Sequence, residues 1–181
     1  MRLDRETAMK ECATIIRKAL QRDIPSILGI YNEIIASSTA IYADDPVSLD
    51  NRMAWFAQQE ERGFPVLVAV EPEGDVIGFS AFADWRGAWP GYRHTVEHSV
   101  HVRRDRRGAG VGRHLIEALF PYAHALGKHV MIGGIDAANS ASIRLHERVG
   151  FQQVAHFREV GRKFDRWLDL VFMQRVLDAR S

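Results

Sequence analysis

Residues 95–120 read TVEHSVHVRRDRRGAGVGRHLIEALF, and three patterns succeed one another within them. From Thr95 to Val102 β-branched residues alternate, with Val96, His98, Val100 and Val102 on one face and Thr95, Glu97, Ser99 and His101 on the other, the period of a strand. Arg103, Arg104, Arg106 and Arg107 then crowd a turn that runs into Gly108, Gly110 and Gly112. Val111, Leu115, Leu119 and Phe120 follow as the apolar stripe of a helix, which Pro121 is expected to kink. Glycines let a ligand approach the backbone, and the first N–H groups of a helix lack internal partners and carry partial positive charge. A basic, glycine-rich turn between strand and helix is therefore a seat for a phosphate or diphosphate. The spacing excludes two common versions, because neither the G-x-G-x-x-G of dinucleotide sites nor the G-K-[ST] of a P-loop is met.

Outward from this stretch, helical and strand periods alternate, which indicates a mixed α/β domain. Ala13–Leu20 reads as a strand, and Asp23 and Pro25 open a helix with Ile27, Ile30, Tyr31 and Ile34 on one face. Ser48–Arg62 reads as a second helix with Leu49, Met53 and Phe56 spaced to pack and Gly63 closing it. Val66–Val70 and Val76–Ala83 form a hairpin around EPEGD, and WRGAWPGYR (85–93) is a loop broken by glycines and a proline. A single domain over residues 14–181 is expected, preceded by an extension over 1–13. With 24 basic and 23 acidic residues the net charge is +1, which gives no overall field to attract nucleic acid or membrane, and neither is an expected partner. Cys12 is the only cysteine, which excludes an intramolecular disulfide and cysteine-rich zinc sites. No apolar run reaches spanning length and MRLDRETAMKECA lacks a signal-peptide core, so a cytoplasmic chain is expected.

The motif R-x-x-G-x-G, Arg107 to Gly112, directly after a strand, resembles the pyrophosphate-binding motif of the GNAT superfamily of coenzyme-A-dependent N-acetyltransferases. IDAANSASIRLHERVGF (135–151) resembles that superfamily's second coenzyme region, where an asparagine opens a helix and a GF ending, here Gly150 and Phe151, leads into a strand. TVEHSVHV, RLHE and GRKFDRWLDLVFMQ together resemble a narrower group, the phosphinothricin and methionine sulfoximine N-acetyltransferases, also described as L-amino acid N-acyltransferases, over about Ile15–Leu177. The resemblance implies an α/β (mixed α+β) fold, a central twisted mixed sheet with helices on both faces. It also implies acetyl-CoA as cosubstrate, lying where two central strands splay apart, with no metal. The implied acceptor is an amino acid or an analogue such as methionine sulfone, methionine sulfoximine or phosphinothricin, and the implied assembly is a homodimer.

An ammonium has no lone pair with which to attack a thioester, so the acceptor amine must first lose a proton. The resemblance puts Glu97 near that amine as general base. His146, where many of the wider superfamily have tyrosine, is the expected donor to the departing thiolate, since histidine can donate near neutral pH; packing or capping on the helix Ala141–Val149 is the plainer role. For the coenzyme, Arg107, Gly108, Ala109, Gly110, Val111 and Gly112 would cradle the diphosphate, and Val100, His101 and Val102 would pair with the pantetheine arm as an added strand does. Asn139 and Ser142 match the family's coenzyme positions, although capping alone would account for them. His101 stands where the group commonly has tyrosine. Arg86, at the family's WR position, and Arg93 are expected partners of the acceptor carboxylate, because a guanidinium binds carboxylate through two parallel hydrogen bonds. Tyr42 and Trp85 are expected to wall the pocket. The loop is one residue longer than usual and contains Pro90, so a shifted substrate preference is expected.

Other readings compete. His94, His98 and His101 could suggest a metal site, but strand alternation puts His101 opposite the other two. The arginine run could suggest nucleic acid, but it lacks interleaved aromatics. A silent acetyl-CoA sensor keeps the ligand without the chemistry, and a polyamine, antibiotic or protein amine keeps the chemistry with another acceptor.

Overall fold

The computed structural model describes residues 14–177, so the extension over 1–13 lies outside the described residues. Seven strands form one mixed sheet in the order β1-β2-β3-β4-β5-β7-β6, with β1 Ile15–Lys18, β2 Val66–Val70, β3 Val76–Asp84, β4 Thr95–Val102, β5 Val130–Asp136, β6 Gln152–Lys163 and β7 Arg166–Val176. Only β4 and β5 run parallel; every other neighbouring pair is antiparallel. The strand spans expected for residues 66–70 and 95–102 match β2 and β4, while β1 is shorter than the stretch Ala13–Leu20. Leu20 leaves the ladder because its N–H is donated to the Asp23 carboxylate (2.7 Å), which also pairs with Arg17 (2.6 Å).

Helices cover both faces. On one lie α1 Ile24–Ser37 and α2 Leu49–Glu61, where Ile24, Ile27, Ile30, Ile34 and Phe56 pack on Val68 and Phe79. On the other lie α3 Val111–Glu117, α4 Phe120–Ala125 and α5 Ser140–Arg148, where Leu115, Ile116 and Leu119 meet Val96, Met131 and Phe151. Alternation sends Leu67 and Ala69 of β2 to one core and Val66, Val68 and Val70 to the other, so this strand, covered on both faces, is buried throughout. Ser48 caps α2 by accepting the Asn51 N–H (3.2 Å), but Leu49, expected to pack, sits at the first helical position and is exposed. The kink expected at Pro121 is a break: α3 stops at Glu117, and Pro121, with no N–H to offer, stands in the first turn of α4. Among the described residues no helix is long and apolar enough to cross a membrane.

The segment between α1 and α2 is fastened to the far end of the sheet by Lys163, the last residue of β6. Its buried ammonium donates to the carbonyls of Ile35 (2.6 Å), Ser38 (2.8 Å) and Ile41 (2.8 Å). Ala40 and Ile41 of that segment line the cleft described below, so this contact shapes a wall of it. Lys163→Met removes the donor and strands three acceptors; chemical denaturation is expected to show a loss of about 2–4 kcal/mol, and an unchanged midpoint would mean that water replaces the ammonium without cost.

Candidate active site

β4 and β5 pair over three positions only, Thr95 with Val130, Val96 with Met131 and Glu97 with Ile132. Beyond Glu97, β4 continues beside β3 alone, and beyond Ile132, β5 continues beside β7 alone. The strands part like a fork, and a cleft of about 450 Å³ opens in the gap. Glu97, Ser99, His101, Gly134, Asn139 and His146 line it, with residues of α1 and α2 on one side.

Glu97 stands at the fork. Among the described residues nothing hydrogen-bonds or pairs with its carboxylate, and burial pushes its pKa up. It faces Gly134 on β5, where a Cβ would come within 3.2 Å of the Glu97 Oε1. On the opposite face of β4, His98 and His146 meet over Gly133, where a Cβ would stand 3.0 Å from one Nε2 and 3.2 Å from the other. The Gly133–Gly134 pair thus leaves β5 bare on both faces at the level of the fork. His146 donates its Nδ1–H to the Ser142 carbonyl (2.7 Å). Burial holds its pKa down, against the raising effect of that carbonyl, so the resting ring is neutral. A neutral imidazole has one N–H, and this one is engaged with the Ser142 carbonyl, so the ring donates to a thiolate only after taking up a proton.

His101 sits between Phe79 (5.1 Å) and Tyr31 (6.1 Å). Burial, with the charges of Arg52 and Arg107 behind it, pulls its pKa down to about 4, so it acts as a neutral aromatic wall. Arg52, on α2, also lines the cleft: it is 8 % exposed, its guanidinium lies 4.1 Å from the Tyr31 ring and 4.7 Å from the Trp55 ring, and among the described residues its Nε has no hydrogen-bond partner. His98 and His101 lie on opposite faces of β4 and cannot share a metal ion.

At the end of β4 the basic turn is internally braced. Arg106 pairs with Glu71 (2.6 Å), Arg103 with Asp105 (2.7 Å), and the Arg107 Nε donates to the Val102 carbonyl (3.0 Å). Two of the arginines are thus matched by carboxylates, which disfavours a nucleic-acid stripe. Gly110, at φ 81°, is the N-cap of α3 and takes a conformation that costs other residues dearly. Asn139 caps α5, its Oδ1 accepting the Ser142 N–H (3.1 Å), and both residues line the cleft.

The acceptor residues expected from sequence are less closely gathered. Arg86 is exposed, with its guanidinium 5.7 Å from the Tyr92 ring, and Arg93 donates to the Pro90 carbonyl (3.1 Å); neither lines the cleft. Trp85 packs edge-on against Phe172 (5.2 Å), which in turn lies against Gly134 beside Glu97, so its ring stands one side chain away from the fork. Tyr42 donates to the Asp169 carbonyl (3.0 Å), and burial, then Asp136 and Asp169, raise its pKa to about 12. It braces the wall from outside the lining. Sequence reasoning passed over Gly133, Gly134 and Arg52, and took His98 only as a discarded metal ligand; the doubled glycine inside a strand was the one visible signal.

Comparison with known proteins places this architecture. The acetyltransferase (GNAT) family model matches residues 27–151. The chain is 49% identical over 163 residues to an L-methionine sulfoximine/L-methionine sulfone acetyltransferase of Pseudomonas paraeruginosa, covering 90% of this chain and 94% of that one. It is 48% identical over 166 residues to the L-amino acid N-acyltransferase MnaT of Escherichia coli, covering 92% and 95%. A phosphinothricin acetyltransferase of Sinorhizobium meliloti, solved in complex with acetyl-CoA, superposes with a TM-score of 0.87 at 35% identity, covering 91% of this chain and 88% of that one.

Proposed function

Because the chain belongs to the GNAT family of acetyltransferases, we propose that it moves the acetyl group of acetyl-CoA to the α-amino nitrogen of an amino acid or a polar analogue of the methionine sulfone, methionine sulfoximine or phosphinothricin kind. The observation that carries this reading is the fork between β4 and β5, with the unpartnered Glu97 carboxylate at its base. Acetyl-CoA, when bound, supplies an acyl carbon activated as a thioester. What supports its place here is that Val100 to Val102 lie on the stretch of β4 that β5 leaves unpaired, that the glycine-rich turn from Arg107 to Gly112 leads straight into α3, and that Asn139 and Ser142 line the cleft. Glu97 takes the proton that the acceptor ammonium must lose, directly or through water. Arg86, two residues beyond the cleft-lining Asp84, is the proposed grip for the acceptor carboxylate from the rim.

A homodimer is proposed as well, supported by the apolar side chains left exposed on the β6–β7 hairpin: Val154 at 54%, Val160 at 55% and Trp167 at 62%. The cytoplasm is the proposed compartment, in keeping with a single cysteine.

Thiol release from acetyl-CoA, measured with methionine sulfone, methionine sulfoximine, phosphinothricin, their decarboxylated counterparts and a polyamine, tests the acceptor class. Turnover that requires the carboxylate is expected, with Arg86→Ala raising KM for the amino acids. Equal turnover of the decarboxylated amines or the polyamine would move the acceptor to another class.

A further inference from the structure

We propose that His98 is a positioning residue for His146: it donates its Nε2–H to the His146 Nε2, joining the two rings into one neutral unit that can take up a single proton beside the fork. The rings come from elements 48 residues apart, yet their Nε2 atoms are 3.2 Å from one another. Two imidazole nitrogens at that distance must share one proton, one donating and the other accepting. Which does which follows from the next partner along. The Nδ1 of His146 faces a carbonyl, Ser142 O at 2.7 Å, and can only be an N–H. Its Nε2 is then the lone pair, so the proton between the rings belongs to the His98 Nε2. That leaves the His98 Nδ1 as a lone pair, and this buried atom has no partner among the described residues.

The surroundings keep the unit neutral. The ring centroids lie 5.1 Å apart with planes inclined by 29°, Phe151 closes on both at 5.3 Å, and bare Gly133 lets both approach β5. Burial lowers the pKa of both rings. The titratable groups that bear on His98 are His146 from α5 and His101 from β4 itself, and each opposes a charge there. A charge on one ring disfavours a charge on the other, so the unit takes up one proton at a time.

The chemical use of this unit rests on the acetyl-transfer reading. After Glu97 has taken the first proton from the ammonium, the nitrogen still loses a second as its bond to the acyl carbon forms and the carbon–sulfur bond breaks with its electron pair going to sulfur. The His146 Nε2 exchanges its bond from His98 for that proton and then returns it to the sulfur, re-forming the bond, so the pair begins and ends uncharged and no net proton is consumed. His98 serves by holding the His146 lone pair in place and limiting its basicity, since a donor to the neutral form lowers the pKa.

Nitrogen-15 NMR of the histidine rings in the free enzyme at pH 7 tests the arrangement without any acceptor. Both rings are expected neutral, with the proton on Nδ1 in His146 and on Nε2 in His98. A charged ring, or His146 protonated on Nε2, overturns the proposal. Variants test the use. His98→Gln keeps a donor near the position of Nε2, whereas His98→Phe fills the space without one. The acid limb of kcat is expected to move up by about one pH unit in His98→Phe and to stay in place in His98→Gln, with KM for acetyl-CoA unchanged in both. Equal shifts in the two variants, or none in either, would reduce His98 to packing. If the wild-type enzyme acetylates no amine, the acetyl-transfer reading fails while the ring tautomers still stand or fall by the spectrum.

Discussion

Glu97→Gln is expected to lower kcat by about 10²- to 10⁴-fold, the range over which a positioned proton acceptor contributes, with KM for acetyl-CoA unchanged. Glutamine preserves the shape of the side chain at the fork but cannot accept the proton. The pH dependence gives the sign. Burial raises the pKa of Glu97 above that of an ordinary glutamate, and the active form is the carboxylate. Turnover in the wild type therefore falls as pH drops through that raised pKa, and in Glu97→Gln this part of the acid limb is lost while the part set by the His98–His146 pair remains. Stability runs the other way. A carboxyl whose pKa is raised in the folded state stabilises most below its unfolded pKa, and that contribution is lost as pH rises through the folded value. The variant is consequently expected to melt at or above the wild-type temperature at neutral pH, which separates lost chemistry from lost fold. A large fall in Tm together with the fall in kcat would instead assign Glu97 a structural part.

Gly110→Val is the second large effect, and it falls on the coenzyme. Nothing crowds a Cβ at this position; the nearest atom is His114 Cε1 at 4.0 Å, so the cost is in the backbone itself. A β-branched residue at φ 81° is strained by about 1–3 kcal/mol, and relief requires the turn to rotate out of the left-handed conformation that Gly110 gives it at the start of α3. Since about 1.4 kcal/mol is a factor of ten in affinity, calorimetric titration with coenzyme A is expected to show binding weakened by about one to two powers of ten. Gly91→Ala, in a loop where a Cβ meets nothing within 4 Å, serves as the control and is expected to bind as the wild type does. Unaltered binding in Gly110→Val would remove the turn from the coenzyme site.

Much of this molecule was legible before the fold was seen, for a definite physical reason. Alternation along Thr95–Val102 fixes which side chains share a face, and the structure keeps Val96 and His98 on the α3–α5 side and His101 on the α1–α2 side. Glycine spacing and the Asn139 cap are likewise local signals, written in neighbouring residues. What lies across from a face is a different matter. The sequence gives no local sign that β5 leaves β4 after Ile132, that Gly133 and Gly134 come to rest beside His98 and Glu97, or that Arg52 from α2 enters the same cleft. Those are meetings of residues far apart in the chain. The conformation of the loop from Trp85 to Arg93 is likewise not announced by its neighbours in sequence: Arg86, at φ 49°, sets its guanidinium beside Tyr92 at the rim. The Leu49 and Pro121 differences are end effects, where a periodic pattern runs past the last hydrogen bond of its helix.

Acetylation of a nitrogen acceptor is proposed to take place at the fork between β4 and β5. It is tested most directly by following an isotopically labelled acetyl group from acetyl-CoA, with methionine sulfone as acceptor, in wild type and in Glu97→Gln. The label is expected on the α-amino nitrogen with one thiol released per amide formed, and nearly all of it is expected to remain on the coenzyme in the variant. Coenzyme that binds while its label stays in place in the wild type, with every acceptor offered, would contradict the claim and leave the protein a sensor of acetyl-CoA.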